Sequence, residues 1–237
     1  MRLNKYIASC GIASRRGADS IISEGRVTIN GKPVSTIGTD VNPDTDKVAV
    51  DGTLLSLHPD NVYIVLNKPA GVLSTCSDDR GRKTVVNLIR GVDQRIFPVG
   101  RLDYDTEGLL LLTNDGEFAY KCTHPKHELD KSYEAIVHGR LDDLAVKHLE
   151  SGIDLDGSKT APAIIRRISS SETRNHIEIT IHEGRNRQIK RMFEAVGCHV
   201  MQLKRTRLGR LKLDGIRVGD WRYLSKDEIK LLLNDKD

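Results

Sequence analysis

Two segments in which apolar residues recur at every second position constrain the fold of this chain more than any other feature. Tyr133, Ala135 and Val137 alternate with their neighbours in the first segment, and residues 177, 179 and 181 are all Ile in the second. A period of two is the signature of a β-strand that buries one face. Shorter apolar runs at 62–66 and 109–112 have the composition of buried strands. The pattern therefore predicts a mostly antiparallel sheet in the larger part of the chain.

Two segments with helical periodicity accompany these strands. Apolar residues recur at positions i, i+3, i+4 and i+7 between Asn186 and Val196, and Gly197 provides a stop. Ser225 and Glu228 form a capping box in front of an apolar run at 229–233. Strands mixed with flanking helices, without a regular βαβ rhythm, predict an α+β fold.

The first 60 residues have a different pattern of predicted secondary structure. They contain two short helical segments, at 2–10 and from Ser14 to Gly25, followed by Asn30-Gly31, a strong hairpin signal. A further strand is expected at 48–50, and residues 56–61, which include Pro59, resemble a linker. We therefore predict a small α+β domain at 1–60 and a larger α+β domain at 61–237.

The net charge of +4 conceals two basic segments in an otherwise acidic chain. Residues 183–212 hold nine Lys or Arg against two Glu, and residues 1–35 hold six against one Asp and one Glu. Two such segments favour a polyanionic partner over solvated helix faces, because neutralising phosphates releases counterions. No apolar run is long enough to span a membrane, and the four cysteines form no C-x-x-C pair. We expect a cytoplasmic monomer that binds nucleic acid and no membrane.

A glycine-bounded loop at 100–108 (GRLDYDTEG) is the segment most suggestive of chemistry. Three acidic residues lie within five positions, directly before the apolar run at 109–112. Charged residues in a loop beside a buried strand are typical of a site held by a rigid scaffold. The acids also require cations nearby, and the basic segment 185–191 (RNRQIKR) can supply them.

These residues carry a resemblance to the pseudouridine synthases. The loop, together with the T-N-D-G turn at 113–116, is similar to the catalytic motif of that family. Lys68-Pro69-Ala70-Gly71 resembles the first family motif, residues 131–133 (KSY) the tyrosine motif, and residues 184–192 (GRNRQIKRM) the basic motif. The first 60 residues resemble an S4 domain, an RNA-binding module. The pattern is that of the RsuA/RluB branch of ribosomal RNA pseudouridine synthases, and it is most similar to the RluB type.

The resemblance implies that the protein converts a uridine of ribosomal RNA to pseudouridine. It implies a target in large-subunit RNA, with small-subunit RNA as the alternative. It implies that Asp103 is the catalytic carboxylate, Lys190 its basic partner, and Tyr133 the residue that stacks on the uracil. No metal or organic cofactor is implied. The residues expected to contact RNA are Arg101, Arg185, Arg187 and Lys68 in the larger domain, and Lys5, Arg15 and Arg16 in the smaller one.

Three other interpretations of the same residues compete with this one. Asp103-Tyr104-Asp105-Thr106 is similar to the D-x-D-x-T motif of haloacid-dehalogenase enzymes, but the chain lacks the βαβ rhythm in which that motif occurs. Cys122, His124 and His127 are close enough in sequence to suggest a metal site, although no fourth ligand is near. An S4 domain and a basic helix would also suffice for an RNA-binding ribosome-assembly factor without catalysis. That alternative predicts that the Asp103 loop can be neutralised without loss.

Overall fold

The computed structural model describes residues 1–57, 60–124 and 129–233, and they form two compact units. The first unit comprises residues 1–62 together with the short segments 92–96 and 114–116, and the second comprises the other described residues. The first unit therefore ends two residues beyond the division predicted after residue 60. Within the predicted linker, Pro59 lies outside the described residues. Independent folding of the two parts stays a prediction.

The first unit has two helices followed by a small antiparallel sheet. Its elements are α1 (Leu3–Ser9), α2 (Arg15–Ser23), β1 (Val27–Ile29), β2 (Lys32–Val34), β3 (Val48–Val50) and β4 (Thr53–Leu54), and the strand order is β2-β1-β3-β4. The Ser14 hydroxyl caps α2 by accepting a hydrogen bond from the Gly17 amide at 3.0 Å. Asn30 and Gly31 have φ values of 52° and 77°, as a type I′ turn requires, so the predicted hairpin is confirmed.

The second unit is built on a nine-stranded sheet. Its strands are β5 (Tyr63–Lys68), β6 (Phe97–Val99), β7 (Glu107–Thr113), β8 (Lys131–His138), β11 (Ile164–Ser170), β12 (Arg174–Ile181), β13 (His199–Leu208), β14 (Leu211–Lys212) and β15 (Trp221–Tyr223). The main order is β11-β12-β8-β13-β7-β5-β15, with β14 paired to β13 and β6 to β7. All of these strand pairs are antiparallel except β7 with β13, which confirms the predicted mostly antiparallel sheet.

Four helices, of which α3 has its first residue in the first unit, a two-stranded hairpin and a 3₁₀ turn complete the second unit. The helices are α3 (Gly116–Thr123), α4 (Asp143–Ser151), α5 (Gln188–Ala195) and α6 (Lys226–Leu233), the hairpin is β9 (Asp154–Leu155) with β10 (Ser158–Lys159), and the 3₁₀ turn is Val85–Leu88. The predicted capping box is present at α6, because the Glu228 amide donates to the Ser225 hydroxyl at 3.2 Å and the Ser225 amide donates to the Glu228 carboxylate at 2.9 Å. No helix in the described ranges has the length and apolar character that crossing a membrane requires.

Strand β7 anchors the core of the second unit. Leu109, Leu110, Leu111 and Leu112 are all fully buried, so both faces of this strand are covered. Leu109 and Leu111 belong to an apolar cluster that also contains Phe118 of α3 and Leu232 of α6. Because β7 is buried on both faces, the C-terminal end of the loop at 100–108 has a fixed position.

Helix α5 begins two residues later than the sequence predicts. Arg187 adopts the left-handed conformation, with φ of 49° and ψ of 31°, so the first helical residue is Gln188 rather than Asn186. The Gln188 side-chain oxygen accepts a hydrogen bond from the Arg185 amide at 2.9 Å, which closes the turn in front of the helix. The apolar periodicity predicts a helix that starts at Asn186, but the local hydrogen bonds of this turn delay its start to Gln188.

Candidate active site

A pocket of about 590 Å³ lies on one face of the central sheet, within the second unit. Its walls are the loop at 99–106, strands β8 and β13, and the segment 181–190 that leads into α5. The pocket contains three residues on which the sequence predicts catalysis to depend: Asp103, Tyr133 and Lys190. Residues separated by as many as 87 positions in the chain are thus brought to one cavity.

Lys190 is the cation that faces the acidic loop. Its ammonium nitrogen lies 3.8 Å from a carboxylate oxygen of Asp103 and is in closer contact with Asp105. The Lys190 side chain is 8% exposed, whereas those of Asp103 and Asp105 are 34% and 66% exposed. The hydrogen bond from Lys190 lowers the pKa of Asp105 below its ordinary value. The predicted pairing of an acidic loop with a basic helix is therefore present, and Lys190 is shared between two carboxylates.

Lys68 supports the same loop from beneath. Its side chain is completely buried, and its ammonium nitrogen lies 2.8 to 3.4 Å from the carbonyl oxygens of Thr106, Pro69, Asp103 and Tyr104. Burial lowers the pKa of Lys68 to about 8. This position corrects the prediction that Lys68 contacts RNA, because its donors are used by loop carbonyls and none of its surface is exposed. The Lys68 side chain shapes the backbone on which Asp103 is carried.

The floor of the pocket is formed by side chains on one face of β8 and β13. Tyr133, 7% exposed, lies directly opposite Arg205, which is 4% exposed, and both line the pocket. Arg205 donates from Nε to the Leu109 carbonyl oxygen at 2.7 Å. Sequence reasoning counted Arg205 only as one charge of the basic segment. The signal that could have revealed it is its position two residues after Leu203, on the buried side of a strand.

Lys131 adds a second cation near Arg205. Its ammonium group donates to the carbonyl oxygens of Leu129 and His182 at 2.9 and 3.0 Å. Burial lowers the pKa of Lys131, and the neighbouring charge of Arg205 lowers it further. Two positive charges therefore lie near one another in the part of the pocket around β8, and the acids that act on Lys131 are Asp130 and Glu183.

The three arginines expected to contact RNA in this unit fall into two groups. Arg101 and Arg187 are exposed, line the pocket, and form no ion pair within the described residues. Arg185 is engaged: Nη1 and Nη2 donate to the carbonyl oxygens of Ser158 and Lys159 at 2.7 and 2.6 Å, and Nε donates to Glu183 at 3.2 Å. Arg185 thus fastens the β9–β10 hairpin beside the pocket, whereas the exposed guanidinium group of Arg187 acts electrostatically on Asp105.

The basic residues singled out in the first unit lie on its two helices. Lys5 is exposed on α1, and Arg15 and Arg16 are exposed in the first turn of α2. Helices α1 and α2 pack together over a core that includes Ile7 and Ile22. The three charges therefore lie exposed on helices that share one core, and exposed basic residues are a feature of nucleic-acid-binding surfaces.

The metal site considered from sequence finds no support in the described ranges. No cluster of three or more metal-ligating side chains occurs there, although Cys122 and His124 both line the pocket. His127, the third residue of that hypothesis, lies outside the described residues.

The fold and the pocket are those of an RNA-modifying isomerase, and comparison with known proteins agrees. The family described as RNA pseudouridylate synthase matches residues 62–195, and the S4 domain matches residues 1–46. This chain belongs to the RNA pseudouridine synthase family, and the resemblance predicted from its motifs is confirmed.

Similar proteins cover almost the whole chain. The ribosomal large subunit pseudouridine synthase B of Bacillus subtilis is 48% identical over 98% of this chain and 95% of its own length. The dual-specificity RNA pseudouridine synthase RluF of Escherichia coli is 39% identical over 97% of this chain and 77% of its own length. A crystal structure of a pseudouridylate synthase superimposes with a TM-score of 0.71 at 31% identity, covering 98% of this chain and 99% of the other.

Proposed function

We propose that this enzyme converts a uridine of ribosomal RNA to pseudouridine, that its target lies in large-subunit RNA, and that Asp103 is the catalytic carboxylate. The observation that carries the proposal is the position of Asp103 in the pocket, 3.8 Å from the ammonium group of the nearly buried Lys190, in a cavity that Tyr133 also lines. The name of the Bacillus subtilis relative supports the choice of large-subunit RNA.

A carboxylate is suited to the reaction because the ribose carbon C1′ becomes electron-deficient when its bond to uracil N1 breaks. The electron pair of that bond leaves with the uracil ring. Asp103 acts in one of two ways: it bonds to C1′, or it takes a proton from C2′ and leaves a glycal, and the uracil rotates while that intermediate exists. Carbon C5 of uracil then bonds to C1′ as the bond to Asp103 breaks or as Asp103 returns its proton to C2′, so Asp103 becomes a carboxylate again. A base removes the C5 proton and N1 gains one, which completes the isomerisation. Lys190 compensates the charge of Asp103 whenever that carboxylate is ionised.

Access to the target requires that the uridine leave its stack, since the reacting bond is not reachable inside a helix. A pocket of about 590 Å³ is large enough for an extruded nucleotide. Tyr133 offers an aromatic face to the base, a contact worth about 1–3 kcal/mol. Arg101 and Arg187, both exposed beside the pocket, are placed to hold the phosphates on either side of it.

The proposal is tested with wild type, Asp103→Asn and Asp227→Asn acting on unmodified large- and small-subunit ribosomal RNA. Pseudouridine is mapped by carbodiimide treatment and primer extension, and RNA binding is measured in parallel. Asp227 is a matched control because its side chain is 90% exposed on α6, in a loose ion pair with Lys230 at 3.7 Å.

We expect a new stop in large-subunit RNA with wild type and Asp227→Asn, no stop with Asp103→Asn, and binding of RNA by all three. A stop in small-subunit RNA alone would move the target to that RNA. Tight binding by wild type without any stop, on RNA or on precursor particles, would leave a non-catalytic assembly factor as the function.

A further inference from the structure

Two buried polar groups that line the pocket have no hydrogen-bond partner. Among the described residues, four buried side-chain nitrogen or oxygen atoms are unpaired, and two of these are Nη2 of Arg205 and Oγ1 of Thr106. Arg205 is 4% exposed and Thr106 is 2% exposed. Buried donors without a partner are rare in folded proteins and call for an explanation, of which a ligand is one.

The backbone places both groups beside the catalytic loop. Arg205 lies opposite Gly108 in the parallel pairing of β13 with β7, and Thr106 lies two residues before Gly108. A Cβ on Gly108 would come within 2.2 Å of the Arg205 carbonyl oxygen, so only glycine permits the two strands to approach this closely. On its other side Arg205 pairs with Tyr133, and side chains directly opposite on neighbouring strands share one face of the sheet.

The positive charge of Arg205 also has no ion-pair partner among the described residues. Its guanidinium donates to one backbone carbonyl, that of Leu109, and it takes part in none of the ion pairs found in the described parts of the chain. Lys131 is a second cation close enough to interact, because the charge of Arg205 lowers the pKa of Lys131. A buried guanidinium is normally paired with a carboxylate, because its desolvation is otherwise uncompensated. The unpaired donors of the pocket therefore favour a ligand that carries hydrogen-bond acceptor oxygens.

We propose that Arg205 is the residue that recognises the uracil base, donating a hydrogen bond from Nη2 to a carbonyl oxygen of the extruded ring, with Thr106 as a second donor. The inference rests on the proposed function and assigns the base-binding part of the same pocket. The base is favoured over a phosphate as the ligand because Arg205 is buried beside Tyr133, whereas the exposed Arg101 and Arg187 are available to phosphates.

The same contact assists the chemical step. When the bond between C1′ and N1 breaks, the electron pair that leaves with the ring is shared by its two carbonyl oxygens. A charged donor already fixed at one of them stabilises this negative charge more than it stabilises the neutral base. Arg205 therefore contributes to the rate of bond cleavage as well as to the selection of uracil.

The test compares wild type with Arg205→Met, Arg205→Lys and Arg166→Gln. Arg205→Met keeps much of the apolar volume and removes every donor, while Arg205→Lys keeps the charge but cannot reach the Leu109 carbonyl and a base together. Arg166 is the control, because it lies on β11 outside the pocket with its side chain 67% exposed. Each protein is melted alone, with uridine 5′-monophosphate, and with ribose 5-phosphate, which has the sugar and phosphate but no base.

We expect uridine 5′-monophosphate to raise the melting temperature of wild type and Arg166→Gln by more than ribose 5-phosphate does. Arg205→Met should lose this difference and keep the response to ribose 5-phosphate, with Arg205→Lys intermediate. Loss of both responses in Arg205→Met would assign Arg205 to phosphate binding and overturn the proposal, as would an unchanged difference. Equal responses of wild type to the two ligands would overturn it as well.

A second measurement separates this inference from the proposed function. In single-turnover reactions on ribosomal RNA, Arg205→Met should react more slowly by on the order of 10- to 100-fold, with an RNA dissociation constant within about threefold of wild type. A wild-type rate in Arg205→Met would contradict the role in bond cleavage. Absence of pseudouridine with wild type would refute the proposed function, and the melting comparison would still decide whether Arg205 recognises uracil.

Discussion

At the scale of single residues, the site separates into side chains that line the pocket and side chains that support the loop from behind. Asp103 and Tyr133 line the pocket, while Lys68 lies wholly behind the loop and donates to its carbonyl oxygens. Sequence alone could not distinguish these positions, because a lysine beside a proline and a glycine is compatible with either surface or interior. The burial of Lys68 follows from its place at the end of β5, opposite Gly108 of β7.

The environment of Lys68 predicts a pH dependence of stability. Burial lowers its pKa from the ordinary 10.5 to about 8, so between these values the unfolded chain binds more protons than the folded one. The free energy of unfolding should therefore gain at most about 1.4 kcal/mol per pH unit from this group as pH rises through the window. Chemical denaturation of wild type and Lys68→Met from pH 7 to pH 10.5 measures it.

We expect Lys68→Met to be less stable than wild type at every pH, because loop carbonyls lose their donor. The difference between the two proteins should widen above about pH 8. Parallel stability curves across that range would show that Lys68 does not titrate there, and the account of its burial would be wrong.

At the scale of elements, the close parallel contact of β7 and β13 is what assembles the pocket. It brings the segment that follows Asp103 against the strand that carries Arg205, and Gly108 makes the contact possible. The apolar run at 109–112 predicted β7, and the alternation at 133–137 predicted β8. The pairing of β7 with β13 was not predictable, because these strands are about 100 residues apart in sequence and periodicity carries no information about neighbours.

Gly108→Ala should be strongly destabilising. Its Cβ would lie 2.2 and 2.6 Å from the carbonyl oxygen and amide nitrogen of Arg205, and Gly108 has φ of +107°, which side chains rarely adopt. We expect a loss of about 4 kcal/mol or more in the free energy of unfolding, measured by urea denaturation. Gly116→Ala is the matched control, because a Cβ there meets nothing within 4 Å. Equal stability of the two variants would contradict the close approach of the strands.

At the scale of the whole molecule, the enzyme consists of two units, each with its own apolar core. The first has its own apolar core, which includes Leu3, Ile7 and Val48, and its helices display Lys5, Arg15 and Arg16. All residues that line the pocket belong to the second unit. We therefore expect that substitutions in the first unit change RNA affinity and leave the chemistry of the second unit unaltered.

Removal of residues 1–60 should test this division. We expect the remaining chain to stay folded, as judged by a cooperative melt, because no pocket-lining residue and no strand of the nine-stranded sheet is removed. RNA binding should weaken and its dependence on salt should become less steep, because fewer phosphates are neutralised. A non-cooperative melt would place the boundary elsewhere, and an unchanged salt dependence would exclude the first unit from RNA contact.

The sequence by itself determined the class of fold, the family and the loop that contains Asp103. Strand alternation, caps and a dense motif are local properties, each readable from neighbouring residues. Only the tertiary structure decided that Lys68 is buried and that Arg185 binds the β9–β10 hairpin. It also decided that Arg205 lies beside Tyr133 with its Nη2 atom unpaired. These facts depend on which strands become neighbours and which donors find partners, and both are set by packing between distant segments.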